Sequence, residues 1–132
     1  MKLTTAMFSF LEASDICYLA TQGDTPNVVP IGFRWLWNDR LLIADLFLGK
    51  TRANIEANGQ VALAVATSAP KTGFQFKGRA TIYTEGEAYD AAVEGLLGLG
   101  VEAAPRSAVV VEVTQIYRLD PGAGAGGLIA SD

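Results

Sequence analysis

Histidine does not occur among the 132 residues of the chain. Its absence removes the side chain that most often binds metals and transfers protons in enzymes. It excludes a haem held by histidine, and it excludes a serine or cysteine nucleophile activated by an imidazole base. Since the chain also has only one cysteine, it offers no credible set of zinc ligands. We therefore predict no metal site and expect any chemistry to come largely from a bound cofactor.

The single cysteine, Cys17, lies in an apolar run and has no second thiol with which to form an internal disulfide. A chain without disulfides suits a reducing compartment, and we expect Cys17 to be a buried, unreactive side chain. No segment approaches the roughly 18–20 uninterrupted apolar residues of a membrane helix. The first residues also lack the basic and apolar pattern of a secretion signal. We expect a cytoplasmic protein with no membrane partner.

Charged residues make up only 18% of the chain, against about 25% in an average soluble domain. The net charge is −4, and the ten Lys and Arg residues are scattered, which argues against a nucleic-acid partner. Hydrophobic residues make up 50% of the chain. A small domain has a small interior, so this apolar surplus predicts a surface that a second copy covers. We expect a homodimer.

Short strand-like segments dominate the rest of the sequence. Alternating or β-rich patterns occur in six segments: 16–21, 27–37, 41–45, 60–66, 74–84 and 108–119. Three helices are predicted, one beginning after Thr4 or Thr5, one at 50–58 and one at 87–97. Short turns favour an antiparallel sheet, and closure into a barrel removes its exposed edges. The interpretation is a single mainly β domain over residues 1–132, a small antiparallel barrel of six strands with short helices.

Two glycine features refine this fold. Gly78 interrupts the predicted strand 74–84, and glycine inside a strand is typical of a bulge or a bend. The tail of residues 120–132 is rich in glycine, and its composition predicts a flexible segment.

The start of the second helix carries the clearest functional signal. Lys50 and Thr51 open this helix, where unpaired backbone N–H groups and the positive end of the helix dipole favour an anion. A lysine and a hydroxyl at this position suit a phosphate group. The alternative is an ordinary helix start with a threonine cap and solvated cations. We expect Arg52 to be solvated, and Arg34 to lie on the surface or in a dimer interface.

Several short motifs follow one another in a specific order along the chain. They are 19–21 (LAT), 26–33 (PNVVPIGF), 42–45 (LIAD), 50–58 (KTRANIEAN), 73–80 (GFQFKGRA), 116–117 (IY) and 121–122 (PG). Each motif is weak alone, but their order and spacing resemble the FMN-binding split β-barrel proteins related to pyridoxamine 5'-phosphate oxidase. The resemblance covers nearly the whole chain and is nearest to the small FMN-binding proteins of that family.

This resemblance implies a homodimeric split barrel in which FMN lies in a groove between the two subunits. Lys50 and Thr51 match the residues that hold the flavin phosphate. The residues that match the contacts of the isoalloxazine and ribityl parts are Val29, Pro30, Ile31, Gly32, Phe33, Ala44, Asp45, Thr72 and Gly73. Tyr117 and the glycine-rich tail are implied to complete the pocket from the partner subunit. We name no catalytic residue, since no side chain of the chain stands out as an acid, a base or a nucleophile.

The chain departs from the true oxidase, because it lacks the C-terminal arginine–histidine element that in this family holds the substrate's phosphate. Oxidation of pyridoxamine 5'-phosphate is therefore not expected, and the missing histidine also argues against the haem-handling branch of the superfamily. A deazaflavin-binding branch shares the barrel and stays open as an alternative. Three functions follow as hypotheses: a flavin-dependent oxidoreductase, a non-enzymatic FMN-binding electron carrier or flavin store, and a barrel without cofactor that acts as an interaction module.

Overall fold

Eight strands and three helices follow one another in the computed structural model, which describes residues 1–132. In chain order they are α1 (Thr5–Leu11), β1 (Cys17–Gln22), β2 (Pro26–Ile31), β3 (Arg34–Trp37), β4 (Arg40–Asp45), α2 (Lys50–Asn58), β5 (Gln60–Ser68), β6 (Lys71–Tyr83), α3 (Glu87–Gly98), β7 (Ser107–Arg118) and β8 (Leu128–Ser131). None of the three helices is long and apolar enough to cross a membrane.

The strands form one antiparallel sheet. Their order is β2-β1-β5-β6-β7-β4-β3, and β8 pairs with β7 outside this order. The two outermost strands, β2 and β3, are consecutive in the chain and are joined only by Gly32 and Phe33. The end of β2 and the start of β3 therefore lie close together, although no hydrogen-bonded ladder joins these two strands.

Two apolar clusters lie on opposite faces of strand β4. The larger contains 19 buried residues, and the smaller contains seven, three of which come from α3. Successive side chains of a strand point to opposite faces. Leu41 and Ile43 therefore enter the larger cluster, while Leu42 and Ala44 enter the smaller one. Because β4 is buried on both faces, its residues 41–44 are all apolar instead of alternating between apolar and polar.

The predicted mainly β, antiparallel fold with three short helices is confirmed, but the sheet has eight strands rather than six. The predicted strand 27–37 is broken into β2 and β3, and part of the predicted flexible tail forms β8. The second helix has its predicted bounds, Lys50–Asn58. It ends at Gly59, whose φ of 72° is the left-handed conformation that commonly follows a helix.

Arg34 stabilises the point at which the predicted strand is broken. We predict this residue on the surface or in a dimer interface, and that prediction does not include its contacts with the backbone. Its half-buried guanidinium donates hydrogen bonds to five backbone carbonyls, those of Leu11, Ser14, Asp15, Ile31 and Gly32. Three of these carbonyls belong to the last residue of α1 and to the segment just after it, where a helix leaves carbonyls unpaired and favours a cation. The other two belong to Ile31, the last residue of β2, and to Gly32, the first residue of the link at which the sheet ladder is interrupted.

Gly78 lies where the β6–β7 pairing shifts register, which confirms the predicted bulge. A Cβ at this position would overlap the backbone carbonyl of Glu112 on β7. We predict that Gly78→Ala lowers the free energy of unfolding by about 1–3 kcal/mol, because backbone rather than a flexible side chain has to move. Urea denaturation followed by circular dichroism measures the change.

Gly98→Ala is the matched control for this variant. Gly98 is the last residue of α3, and a Cβ there would meet no atom within 4 Å. Alanine favours a helix over glycine, so this variant should keep the free energy of unfolding or raise it by up to about 1 kcal/mol. Equal urea midpoints for the two variants would contradict the overlap at Gly78.

Candidate functional site

An apolar cavity of about 390 Å³ lies where the end of β2, the β2–β3 link, the end of β4 and the following loop meet. Its lining residues are Val29, Pro30, Ile31, Gly32, Phe33, Ala44, Leu46, Phe47 and Leu48. Six of these nine are predicted flavin contacts. The volume lies within the range of about 300–1,000 Å³ typical of small-molecule sites. The sequence therefore predicts most of one cavity wall, but it misses the three loop residues 46–48.

The polar groups available in this cavity are mainly backbone groups. Seven of the nine lining residues are hydrophobic, and none of the nine carries an ionisable side chain. Because β2 is an outer strand of the sheet, the backbone groups along one of its edges have no ladder partner. A Cβ added at Gly32 would meet no atom within 4 Å, so the wall is open at that residue. A flat, largely apolar ligand can approach this backbone closely.

Asp45 holds the loop that forms one side of the cavity. Its side chain is 0% exposed, and its two carboxylate oxygens accept hydrogen bonds from the Leu48 N–H at 2.8 Å and the Ser107 hydroxyl at 2.6 Å. Its backbone carbonyl accepts a bond from the Arg106 N–H at 2.7 Å. The Asp45 carboxylate is thus occupied within the chain, and it positions the loop and the start of α2.

Arg52 is not the solvated cation that we predict from its place in the helix. Its guanidinium lies 3.0 Å from the Glu56 carboxylate and 3.9 Å from the buried Asp45 carboxylate. The exposed pair with Glu56 contributes little to stability, since side-chain entropy and water offset the attraction. The approach to Asp45 matters more, because a carboxylate that is fully buried needs a nearby cation.

The start of α2 offers an anion site made of backbone and one lysine. Gly49 is the N-cap and provides no side-chain hydrogen bond, so the alternative of a threonine cap is wrong. The N–H groups of Lys50, Thr51 and Arg52 have no acceptor within the chain. Lys50 is exposed, and no acidic residue lies in the first turn. Both features favour a negatively charged group at this end of the helix.

The Thr51 hydroxyl faces the interior of the protein. Thr51 is 1% exposed, and its oxygen accepts a hydrogen bond from the Asn27 side-chain amide at 2.9 Å. The same amide group donates to Thr21 at 3.2 Å, and Thr21 also accepts a bond from Asn54 at 3.0 Å. This polar network ties α2 to β1 and β2. One feature of the sequence indicates this network: Asn27 is a polar residue on the strand face that it shares with the apolar Val29 and Ile31.

Lys50 opens onto a second groove rather than into the apolar cavity. This groove has a volume of about 510 Å³ and is lined by polar residues of α2 and of the β1–β2 turn: Gln22, Gly23, Asp24, Thr25, Lys50, Asn54, Ala57 and Asn58. Leu48 of the apolar cavity is only two residues from Lys50. Their Cα atoms are therefore at most about 7 Å apart, and a ligand in the cavity can extend to the helix start.

Thr72 and Gly73 are the two predicted contacts that the single chain places elsewhere. They lie near the beginning of β6, and neither lines the apolar cavity or the polar groove. The Thr72 hydroxyl is 2.8 Å from that of Thr67, and Gly73 is buried beneath Leu119. If these two residues contact the same ligand as Lys50, a second copy of the chain has to supply them.

Cys17 is buried as predicted, and it is not part of either pocket. Burial raises the pKa of its thiol, and the nearby Arg34 guanidinium offsets part of that shift. A thiol with a raised pKa carries little thiolate near neutral pH and is a poor nucleophile. The chain has no group of three or more Cys, Asp or Glu side chains arranged to hold a metal ion.

Asp45→Asn tests whether this carboxylate anchors the cavity loop. An amide can keep only one of the two acceptor oxygens, so one buried hydrogen bond is lost. We predict a fall of about 1–3 kcal/mol in the free energy of unfolding, measured by urea denaturation. The control is Glu56→Gln, which changes the other carboxylate near Arg52 and should shift stability by no more than about 0.5 kcal/mol. If Asp45→Asn leaves the free energy of unfolding unchanged, the loop does not depend on this carboxylate.

Comparison with known proteins finds both a matching family model and a relative of similar length. The family model described as pyridoxamine 5'-phosphate oxidase matches residues 3–120. An uncharacterized protein of Methanocaldococcus jannaschii is 39% identical over 137 aligned residues, which cover 100% of this chain and 91% of that protein.

Two solved structures resemble the fold closely. HupZ of Group A Streptococcus is 31% identical, with a TM-score of 0.79 over 93% of this chain and 98% of that chain. An FMN-binding protein of Syntrophomonas wolfei subsp. wolfei is 20% identical, with a TM-score of 0.75 over 86% of this chain and 84% of that chain. At 20% identity, the second likeness shows the fold alone.

Proposed function

Because the chain belongs to the pyridoxamine 5'-phosphate oxidase family, we propose that it is a homodimeric, FMN-binding, flavin-dependent oxidoreductase. One observation carries the proposal. Six residues predicted to contact a flavin line one apolar cavity, and the loop that completes this cavity leads directly into a helix start with three unpaired N–H groups and Lys50. A flavin mononucleotide has the two matching parts, a flat ring system and a phosphate.

The cavity residues suit the ring part of this cofactor. Their side chains are apolar, so they exclude water from the faces of a planar ring. The open backbone edge of β2 can donate and accept hydrogen bonds along the polar rim of such a ring. Gly32 carries no side chain, and this leaves room for the ring to lie against the strand.

The helix start suits the phosphate part. A phosphate monoester carries a charge of about −1.5 to −2 at neutral pH, and it accepts several hydrogen bonds. Lys50 supplies a cation, and the N–H groups of residues 50–52 point along the helix axis toward the same region. In our proposal Thr51 contributes its N–H rather than its hydroxyl, because Asn27 already holds that hydroxyl inside the protein.

The redox chemistry belongs to the cofactor in this proposal. Bound FMN supplies hydride or single-electron transfer, as flavins do. The chain's own residues bind and orient the ring, exclude water and neutralise the phosphate. No side chain in the cavity can act as an acid, base or nucleophile, and the nearest carboxylate, Asp45, is occupied by Leu48 and Ser107. Oxidation of pyridoxamine 5'-phosphate is not proposed, since the arginine–histidine element of that enzyme has no counterpart here.

Apolar surface beside the cavity supports the homodimer in this proposal. Tyr18 and Val28 are exposed large apolar side chains on one face of the β1–β2 pair. Pro30 lies opposite Tyr18 on the same face, and it also lines the cavity. A second copy placed on this face would cover the apolar surface and would stand next to the bound ring. It could then supply Thr72 and Gly73.

Titration with FMN and with riboflavin tests the cofactor and the phosphate site together. We predict that the protein binds FMN and shows the visible absorbance bands of a flavin. Lys50→Ala should weaken FMN binding about 10- to 100-fold, since a charge-assisted hydrogen bond is lost. Riboflavin has no phosphate, and its dissociation constant should stay within about twofold. Fluorescence titration measures both constants.

Lys2→Ala is the control, because it removes an exposed lysine that lies outside both pockets and is not next to a proposed flavin contact. It should leave both dissociation constants unchanged. If Lys50→Ala weakens the binding of FMN and of riboflavin by the same factor, Lys50 does not bind the phosphate. If the protein binds a deazaflavin but not FMN, the deazaflavin is the cofactor and the proposal of FMN is wrong.

Anaerobic addition of NADH or NADPH to the FMN-loaded protein tests the enzymatic part of the proposal. We expect the visible flavin absorbance to bleach, because an oxidoreductase of this kind accepts a hydride at the open side of the cavity. Bleaching by dithionite serves as the positive control. A flavin that resists both pyridine nucleotides, and is reduced only by a redox protein, would indicate an electron carrier instead.

A further inference from the structure

Phe47 stands out among the residues of the apolar cavity. It is 89% exposed, more than any other large apolar side chain, and the next is Val28 at 62%. A single exposed apolar side chain is common on protein surfaces and needs no special cause. This one, however, also lines the cavity. Its ring is therefore at the cavity rim, with one side available to a ligand and nothing from the same chain covering the other.

The backbone that carries Phe47 is fixed, whereas the ring is not. The next residue, Leu48, is buried and donates its N–H to the Asp45 carboxylate at 2.8 Å. That carboxylate is itself held by Ser107. The ring of Phe47 can thus change position by rotation about two side-chain torsions alone, without moving the loop. An aromatic side chain with only two torsions loses little entropy when it packs on a ligand, so it is well suited to cover one.

We propose that Phe47 is a cover residue, which packs its ring on a planar aromatic ligand in the apolar cavity and so selects flat ring systems. The identity of that ligand as a flavin rests on the proposed function, but the role of Phe47 concerns the ring and not the phosphate. Aromatic pairs gain from offset or edge-to-face contact beyond simple burial. Phe47 is therefore a specificity residue on the loop that follows β4.

The test compares three flavins that share one ring system: FMN, riboflavin and lumiflavin, which lacks the ribityl chain. We expect Phe47→Ala to weaken all three by a similar factor of about 3- to 10-fold. Phe47→Trp should keep the affinities and quench the flavin fluorescence, because an indole would lie against the ring. Leu99→Ala is the control, since it removes an apolar side chain that is 59% exposed and lies outside the cavity.

Each remaining outcome overturns the proposal in a distinct way. If the unmodified protein binds flavins and Phe47→Ala binds them equally well, Phe47 is not a cover residue. The proposed function is then unaffected. Weakening of FMN alone would assign Phe47 to the phosphate end. Sedimentation that shows a dimer for the unmodified protein and a monomer for Phe47→Ala would assign the ring to a subunit contact. If the unmodified protein binds none of the three flavins, the cover and the proposed function both fail.

Discussion

The contact on which the cavity depends most is the one between the Arg34 guanidinium and five backbone carbonyls. A chain that leaves a sheet ladder exposes carbonyls that must find other donors. Arg34 supplies these donors where β2 ends and, at the same time, to the carbonyls at and just after the end of α1. The strand can therefore break at Gly32 and Phe33 without leaving those groups unpaired. Because both residues line the cavity, this one side chain makes the wall possible.

A second group of buried polar contacts holds the other side of the site. Asp45 fixes the loop after β4, and the network of Asn27, Thr51, Thr21 and Asn54 fixes the first turns of α2 against β1 and β2. Buried polar groups that are fully paired define one arrangement, because any other would leave them unpaired at a cost of about 1–3 kcal/mol each. The residues that face a ligand are thus different from the residues that hold them in place.

This division explains what the sequence could and could not predict. Local patterns give α2 its bounds, because signals such as the glycine that ends it act within a few residues, and motif order brings six cavity residues together. The roles of Arg34 and Thr51 could not be predicted, since their partners lie far away in sequence: Leu11 is 23 residues from Arg34, and Asn27 is 24 from Thr51. Polar residues at such positions look like surface residues until the fold brings their partners close. The break between β2 and β3 was missed for the same reason.

The absence of histidine has a structural counterpart in the cavity, where no ionisable side chain is present. A site of this kind cannot accelerate a reaction by side-chain proton transfer, so protons must come from water or from the reactants themselves. In the proposed function, the protein controls the reaction through shape and polarity, that is, through which molecules reach the flavin ring and how much water accompanies them. The backbone of β2 is one fixed boundary of that space. The loop of residues 46–49 is the other, and its exposed Phe47 makes it the part of the site that can decide what enters.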